Sequence, residues 1–235
     1  MELLDGLNNY KVDTDFWNFT SSLEIAATEV TRLVQEFGQS PSDDAPLKAH
    51  RLLVKIELWK AGCVEELTGN YAAQNPESIV WNAFRDAINA MNARNDVDAL
   101  LSIMRLKGFG KHPNEDFGNQ RPAKRASAVL RMFNPVEWGV VDWRTAAMLW
   151  ALEKKDWNID QAMSLARSKY PNRATAKAEF EMINEDFACH LNQMYRGKRS
   201  VSLSRTADVE MAVFGITFEV WELPATTSAA RRRVA

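Results

Sequence analysis

The chain is poor in the residues that build metal centres and covalent cross-links. Its 235 residues include only two cysteines, Cys63 and Cys189, and three isolated histidines. Two distant cysteines provide neither a disulfide framework nor a four-thiolate iron–sulfur site, and isolated histidines lack metal-ligand spacing. The motifs GxSxG and HExxH and the phosphate-binding P-loop are also missing. We therefore expect no metal, no other cofactor and no serine or zinc hydrolase.

A basic leader and long apolar runs are equally lacking. The first ten residues carry two acidic side chains and no basic one, which argues against a signal peptide. The longest apolar stretch, 209–223, is interrupted by three glutamates, so no segment is expected to span a membrane. These features predict a cytoplasmic protein.

Helical periodicity dominates what is present. Hydrophobic residues make up 46% of the chain and recur at three- and four-residue spacing, whereas β-branched alternation is scarce. The pattern predicts an all-α protein that forms one unit over 1–225, followed by a flexible basic tail at 226–235. The predicted helices span 15–37, 46–62, 76–94, 97–105, 122–133, 143–155, 159–168, 174–195 and 206–221.

Positive charge is concentrated in one part of the chain. The segment 105–131 holds seven basic and two acidic residues, a local net charge of +5 in a chain whose total is −2. Such asymmetry favours an anionic ligand such as nucleic acid, because the local potential steers binding. An ordinary solvated helical face is the alternative interpretation.

The same segment contains a pattern typical of a phosphate-binding hairpin. Residues 106–110 read LKGFG, in which the glycines permit tight turning and leave backbone N–H groups free to hold a DNA phosphate. Many helix C-termini have a similar pattern, so an ordinary helix end is the alternative. The DNA-binding residues predicted here are Lys107, Gly108, Gly110, Lys111, Arg121 and Arg125.

A carboxylate and an amine are expected to meet beyond this hairpin. Twelve helical residues from 122 to 133 advance about 18 Å, and a strand-like return over 136–141 is long enough to bring Asp142 back towards Lys124. Asp142 also has the position of a plain helix N-cap. Lys124 has the position of an exposed first-turn lysine, where a positive charge is slightly unfavourable.

These residues resemble the signature of the helix-hairpin-helix DNA glycosylases, typified by endonuclease III and 8-oxoguanine glycosylase. The similarity lies in KRASAVL at 124–130 and PVEWGVVD at 135–142, with Lys124 and Asp142 eighteen residues apart. Trp59-Lys60 resembles an element of a bacterial group with an 8-oxoguanine-glycosylase-like fold. Two features depart from the family pattern. Thirteen residues separate Gly110 from Lys124, and the iron–sulfur cysteines of endonuclease III are missing.

The resemblance implies a glycosylase fold in which two helical subdomains flank a DNA-binding cleft. It implies that Asp142 stabilises the sugar cation while Lys124 attacks C1′ as the amine nucleophile. The expected partner is double-stranded DNA with a modified base, bound by a monomer at the bacterial nucleoid. Candidates for filling the gap left by the flipped base are Gln74, Asn75, Asn119 and Gln120.

Three alternatives remain open at this point. The glycosylase could serve antiphage defence by removing glucosylated hydroxymethylcytosine from phage DNA, since the 111–123 insertion and the eight tryptophans would suit a large pocket. The chain could be a helix-hairpin-helix protein that binds DNA without catalysis, in which Asp142 is merely a cap. It could also be a helical scaffold or toxin-type partner protein with a fortuitous match.

Overall fold

The computed structural model describes residues 2–62, 71–110 and 123–221. Within these ranges the chain forms α-helices, one short 3-10 helix at Ala72–Gln74 and no β-strand, in agreement with the predicted all-α class. None of the described helices is both long and apolar enough to cross a membrane. The helices are α1 Leu3–Lys11, α2 Thr14–Phe37, α3 Ala45–Lys60, α4 Glu77–Asn92, α5 Asp96–Met104, α6 Lys124–Phe133, α7 Trp143–Lys154, α8 Ile159–Lys169, α9 Arg173–Glu179, α10 Glu185–Arg196 and α11 Thr206–Val220.

The helices pack around a single apolar core. Helices α2 to α6 contact one another, while α7 packs on α8, α9 and α11, and α10 connects the two groups through α5, α7 and α11. Five of the eight tryptophans are buried. These five are Trp59, Trp81, Trp138, Trp143 and Trp221.

The first helix was not predicted, and its packing explains why it forms. Helix α1 crosses α11 at two glycines, and a Cβ atom added to Gly215 would lie 1.8 Å from the Gly6 carbonyl oxygen. A Cβ on Gly6 would lie 2.2 Å from the Ala212 carbonyl oxygen. Helix α1 is therefore stabilised by close backbone contact with a partner more than 200 residues away, which local periodicity does not reveal.

The predicted helix over 174–195 is wrong, because two helices occupy this range. Asn172 and Asn184 each cap a separate helix by accepting a backbone N–H, from Thr175 and Phe187 respectively. Between them the carbonyl of Ile183 accepts the Ala123 N–H at 2.6 Å, just before α6 begins. This tertiary hydrogen bond requires an irregular backbone that a continuous helix would not provide.

The segment between α6 and α7 is also different from the prediction. Residues 136–141 were expected to be strand-like, but they pair with no strand in the described ranges and form a turn followed by irregular chain. We call residues 134–142 the return segment. The proposed tail at 226–235 lies outside the described residues.

Candidate active site

The return segment brings Asp142 into the interior because side chains from neighbouring helices hold its backbone. Ser127 of α6 accepts the Val141 N–H at 3.1 Å. Tyr195 of α10 donates its hydroxyl hydrogen to the Val140 carbonyl at 3.1 Å. Buried backbone groups are costly unless they are paired, and these side chains supply the partners that a strand would otherwise supply. The return segment is thus held at the junction of α6 and α10.

The glycine of the return segment is required by close packing. Gly139 donates its N–H to Asn192 Oδ1 at 3.0 Å. A Cβ atom at this position would lie 2.6 Å from the Glu210 Cβ and 3.0 Å from the Tyr195 ring. No larger residue fits without displacing α10 or α11. Gly139 therefore lets the chain pass directly beneath Glu210.

Asp142 is the N-cap of α7, as predicted. Its Oδ1 atom accepts the backbone N–H groups of Arg144 at 2.9 Å and Thr145 at 3.2 Å. Its own N–H donates to the Thr145 hydroxyl at 3.0 Å, which completes a capping box. Capping thus occupies Oδ1, while the second carboxylate oxygen, Oδ2, points towards two cations.

Those cations keep the buried carboxylate ionised. Lys60 Nζ lies 3.3 Å from Asp142 Oδ2, and Arg144 Nη1 lies 3.5 Å from the same atom. Burial alone would raise the pKa of Asp142, which is only 7% exposed. The charges of Lys60 and Arg144 and the two capping N–H groups outweigh burial and lower that pKa to about 2. The site therefore presents a fixed negative charge at neutral pH.

A second buried carboxyl group lies in the same region. Glu210 of α11 is 4% exposed, and its Oε2 atom has no hydrogen-bond partner among the described residues. Burial raises the pKa of Glu210 to about 7, opposed by the charges of Arg131 and Lys60 and supported by that of Asp142. Two carboxyl groups with widely separated pKa values are the arrangement that acid–base catalysis uses.

A fully buried arginine, Arg131, lies near Glu210. Arg131 of α6 forms an ion pair with Glu24 Oε1 at 2.7 Å, and its guanidinium lies 5.5 Å from the centre of the Trp59 ring. Arg205 binds the other oxygen of Glu24 at 2.8 Å. A buried arginine left without an anion would cost several kcal/mol. Glu24 is thus the structural counter-ion of Arg131 and Arg205.

The turn at 105–110, where the hairpin was predicted to begin, is joined to the site through α3. Glu57 accepts the Ala72 N–H at 2.7 Å and binds Arg125 Nη1 at 2.8 Å, while Arg125 also donates to the Gly108 carbonyl at 3.1 Å. Glu57 lies one helical turn before Lys60 on α3. The same helix end therefore holds both the turn and the Asp142 carboxylate.

The hairpin glycines have conformational and steric reasons to be glycine. Gly108 has a φ of +82°, and a Cβ there would lie 2.6 Å from the Tyr71 Cβ. Gly110 is buried against Met104. Lys107 exchanges backbone hydrogen bonds with the Asn75 side chain, which also binds the carbonyl of Ala72. The buried Asn75 side chain thus holds the backbone of the turn by hydrogen bonds.

The structure brings together only some of the predicted residues. Lys107, Gly108 and Arg125 lie together at the 105–110 turn, whereas the Lys124 amine binds Glu181 at 3.1 Å and makes no described contact with Asp142. Asn75 was predicted as a candidate to fill the gap left by a flipped base. It is only 6% exposed, and its side chain hydrogen-bonds the Lys107 backbone instead. Gln74 is exposed. Lys111, Asn119, Gln120 and Arg121 lie outside the described residues.

Sequence reasoning missed two side chains beside Asp142. Lys60 had been noted only within the Trp59-Lys60 resemblance, and Glu210 only as an interruption of an apolar stretch. Both lie on apolar faces: Lys60 continues the buried row that includes Leu53 and Ile56, and Glu210 lies between Val209 and Met211. A charge on a buried helix face was the available signal, because such a charge requires a partner.

Comparisons of the chain with protein-family models, with curated proteins and with solved structures give no match. A proposal for its function therefore has to rest on the residues themselves.

Proposed function

We propose that the protein is a DNA glycosylase that cleaves the N-glycosidic bond of a damaged or modified nucleotide. The observation that carries this proposal is the buried, ionised Asp142 carboxylate, whose Oδ2 atom is not used in capping. Breaking a glycosidic bond develops positive charge on the sugar. A fixed anion in a site with little water stabilises that charge without reorganising during the reaction.

The substrate is inferred from the surrounding charge. The region 105–131 has a local net charge of +5, which suits the phosphate backbone of DNA. Less positive charge is free to meet DNA than this sum suggests, since four of the five described basic side chains of the region are ion-paired and one of them, Arg131, is fully buried. A base inside a duplex is out of reach of a buried carboxylate, so the target nucleotide must be extruded, at a cost of a few kcal/mol.

The amine nucleophile remains a prediction. Lys124 can attack C1′ only after its ion pair with Glu181 opens, since both side chains are held at 3.1 Å. Opening that ion pair costs little free energy, because the Glu181 side chain is 47% exposed and exposed ion pairs contribute about 0–1 kcal/mol. A covalent route through Lys124 would follow from that opening, whereas hydrolysis directed by Asp142 requires no amine.

The test is base release from duplexes that carry 8-oxoguanine, uracil or glucosylated hydroxymethylcytosine, with abasic sites revealed by hot alkali. The wild type should release at least one base, and Asp142→Asn should release it at least about 100-fold more slowly, with DNA affinity nearly unchanged. Release confined to glucosylated hydroxymethylcytosine would favour antiphage defence. Asp13→Asn is the matched control, since Asp13 also caps a helix by accepting a backbone N–H.

One observation favours a second candidate function. Asp142 completes a capping box, so stabilising α7 is by itself a sufficient role for this side chain. The rival is therefore a DNA-binding protein without catalysis. DNA binding with no base released from any duplex, or undiminished release by Asp142→Asn, would contradict the glycosylase proposal.

A further inference from the structure

Among the described residues, the amine closest to Asp142 is not the one that sequence spacing indicated. Lys60 and Lys124 are equally withdrawn from solvent, with side chains 17% and 18% exposed. They differ in their partners: Lys60 binds the buried Asp142 at 3.3 Å, whereas Lys124 binds the half-exposed Glu181. Burial therefore does not distinguish the two lysines, but the electrostatic surroundings do.

We infer that Lys60 is the amine of this site and forms a covalent link to the sugar C1′ atom beside Asp142. The inference rests on the proposed glycosylase function, and it assigns the covalent role to a residue 82 positions before the carboxylate. A nucleophile must lie next to the group that stabilises the developing cation, because both act on the same carbon. The Lys60 Nζ atom meets this positional requirement in the folded protein, and its ion pair with Asp142 opens when the ammonium gives up its proton.

The step balances with groups that the site holds. The Lys60 ammonium must lose one proton before its lone pair can form the N–C1′ bond, and we assign Glu210, whose charge interacts with that of Lys60, as the acceptor. The C1′–N bond to the base breaks, the base leaves with that electron pair, and the proton held by Glu210 passes to the departing base. The adduct nitrogen then loses one proton, its lone pair forms the C1′=N bond as the C1′–O4′ bond breaks, and O4′ takes up that proton. The product is an open-chain iminium ion, whose positive charge Asp142 stabilises.

Glu210 suits the role of proton carrier for two reasons. Its Oε2 atom is buried without a hydrogen-bond partner among the described residues, so it has an acceptor position to offer. Burial also raises its pKa to about 7, which allows it to accept and release a proton near neutral pH. The charged groups acting on it are Arg131 from α6, Lys60 from α3 and Asp142 at the start of α7.

The rival role for Lys60 is that of a simple counter-ion. Lysine and arginine both carry the required positive charge, but only lysine forms a Schiff base. Lys60→Arg therefore preserves the ion pair with Asp142 and removes the covalent step. Lys55→Arg is the matched control, because Lys55 lies on the same helix with its side chain exposed.

The experiment uses the full-length protein, a duplex with one abasic site and sodium borohydride. An abasic site needs no base release, so the result does not depend on which base is excised. The exposed aldehyde and the amine lose water to form an imine, which hydride reduces to a stable adduct. Peptide mapping of the wild-type adduct should locate it on Lys60, and Lys60→Arg should lower the yield at least tenfold while Lys55→Arg leaves it unchanged.

Each outcome decides the inference separately from the proposed function. An adduct on Lys124 or another amine, or no adduct, overturns the role of Lys60 even if the wild type releases a base. An adduct on Lys60 without release of any base supports the amine assignment and contradicts the glycosylase proposal. The mapping uses the wild type alone, so it stands even if the Lys60→Arg variant does not fold.

Discussion

Asp142→Asn separates the charge of the Asp142 side chain from its capping role. Asparagine also caps helices well, so the backbone N–H groups of Arg144 and Thr145 keep an acceptor. Lys60 and Arg144, however, lose the negative charge that they share. The variant therefore reports how much stability the fold draws from the ionised carboxylate.

The magnitude follows from the lowered pKa. The pKa of Asp142 falls from an ordinary value of 3.8 to about 2, as burial is outweighed by Lys60, Arg144 and the capping N–H groups. The difference corresponds to about 2 kcal/mol of folding free energy at pH 7. Because the pKa is lower in the folded state, this stabilisation is complete well above pH 3.8 and disappears as the pH falls through 2. Roughly 1 kcal/mol remains at pH 3.

Urea unfolding of the wild type and of Asp142→Asn at pH 7 and pH 3 measures this difference. We expect the variant to be less stable by about 2 kcal/mol at pH 7 and by about half as much at pH 3. Asp13→Asn, which changes a cap with no ion pair in the described ranges, should alter stability by less than about 0.5 kcal/mol. Equal stability of wild type and Asp142→Asn at pH 7, or a difference that does not shrink at pH 3, would refute the charge argument.

Three further predictions concern the surroundings of the carboxylate. Burial raises the pKa of Glu210 to about 7, so ionisation costs stability as the pH rises from 4.5 through 7. Glu210→Gln should therefore be more stable than the wild type at pH 8 by about 3 kcal/mol, with no gain below pH 4.5. A gain independent of pH would count against this. Gly139→Ala places a Cβ 2.6 Å from the Glu210 Cβ and should lower the free energy of unfolding in urea by about 1–3 kcal/mol. The control Gly197→Ala, whose nearest contact is at 3.5 Å, should be almost neutral. Ser127→Ala leaves the Val141 N–H buried without its acceptor and should cost about 1–3 kcal/mol; a negligible loss in thermal unfolding would mean that another group replaces the hydroxyl.

The cap of α7 and the split between α9 and α10 show where local reasoning succeeds and where it fails. Asp142 was predicted as an N-cap from its neighbours alone, and the capping box involves only residues up to Thr145. The break before Asn184 was not predicted, although Asn184 is a good cap, because apolar spacing continues across it. The Ala123–Ile183 hydrogen bond at this break joins residues 60 positions apart, and no local pattern encodes such a bond.

The candidate site divides in the same way. The amino-acid sequence by itself determined most of the helices, though not α1 or the break between α9 and α10, since apolar periodicity and capping residues act within a few positions. It also marked Asp142 as the residue that opens α7. Only the tertiary structure decided which charges meet there. Lys60 reaches Asp142 across 82 residues, and Lys124, although closer in sequence, turns to Glu181. Pairing of buried charges depends on how helices pack, and the cost of leaving such a charge unpaired becomes visible only when its burial is known.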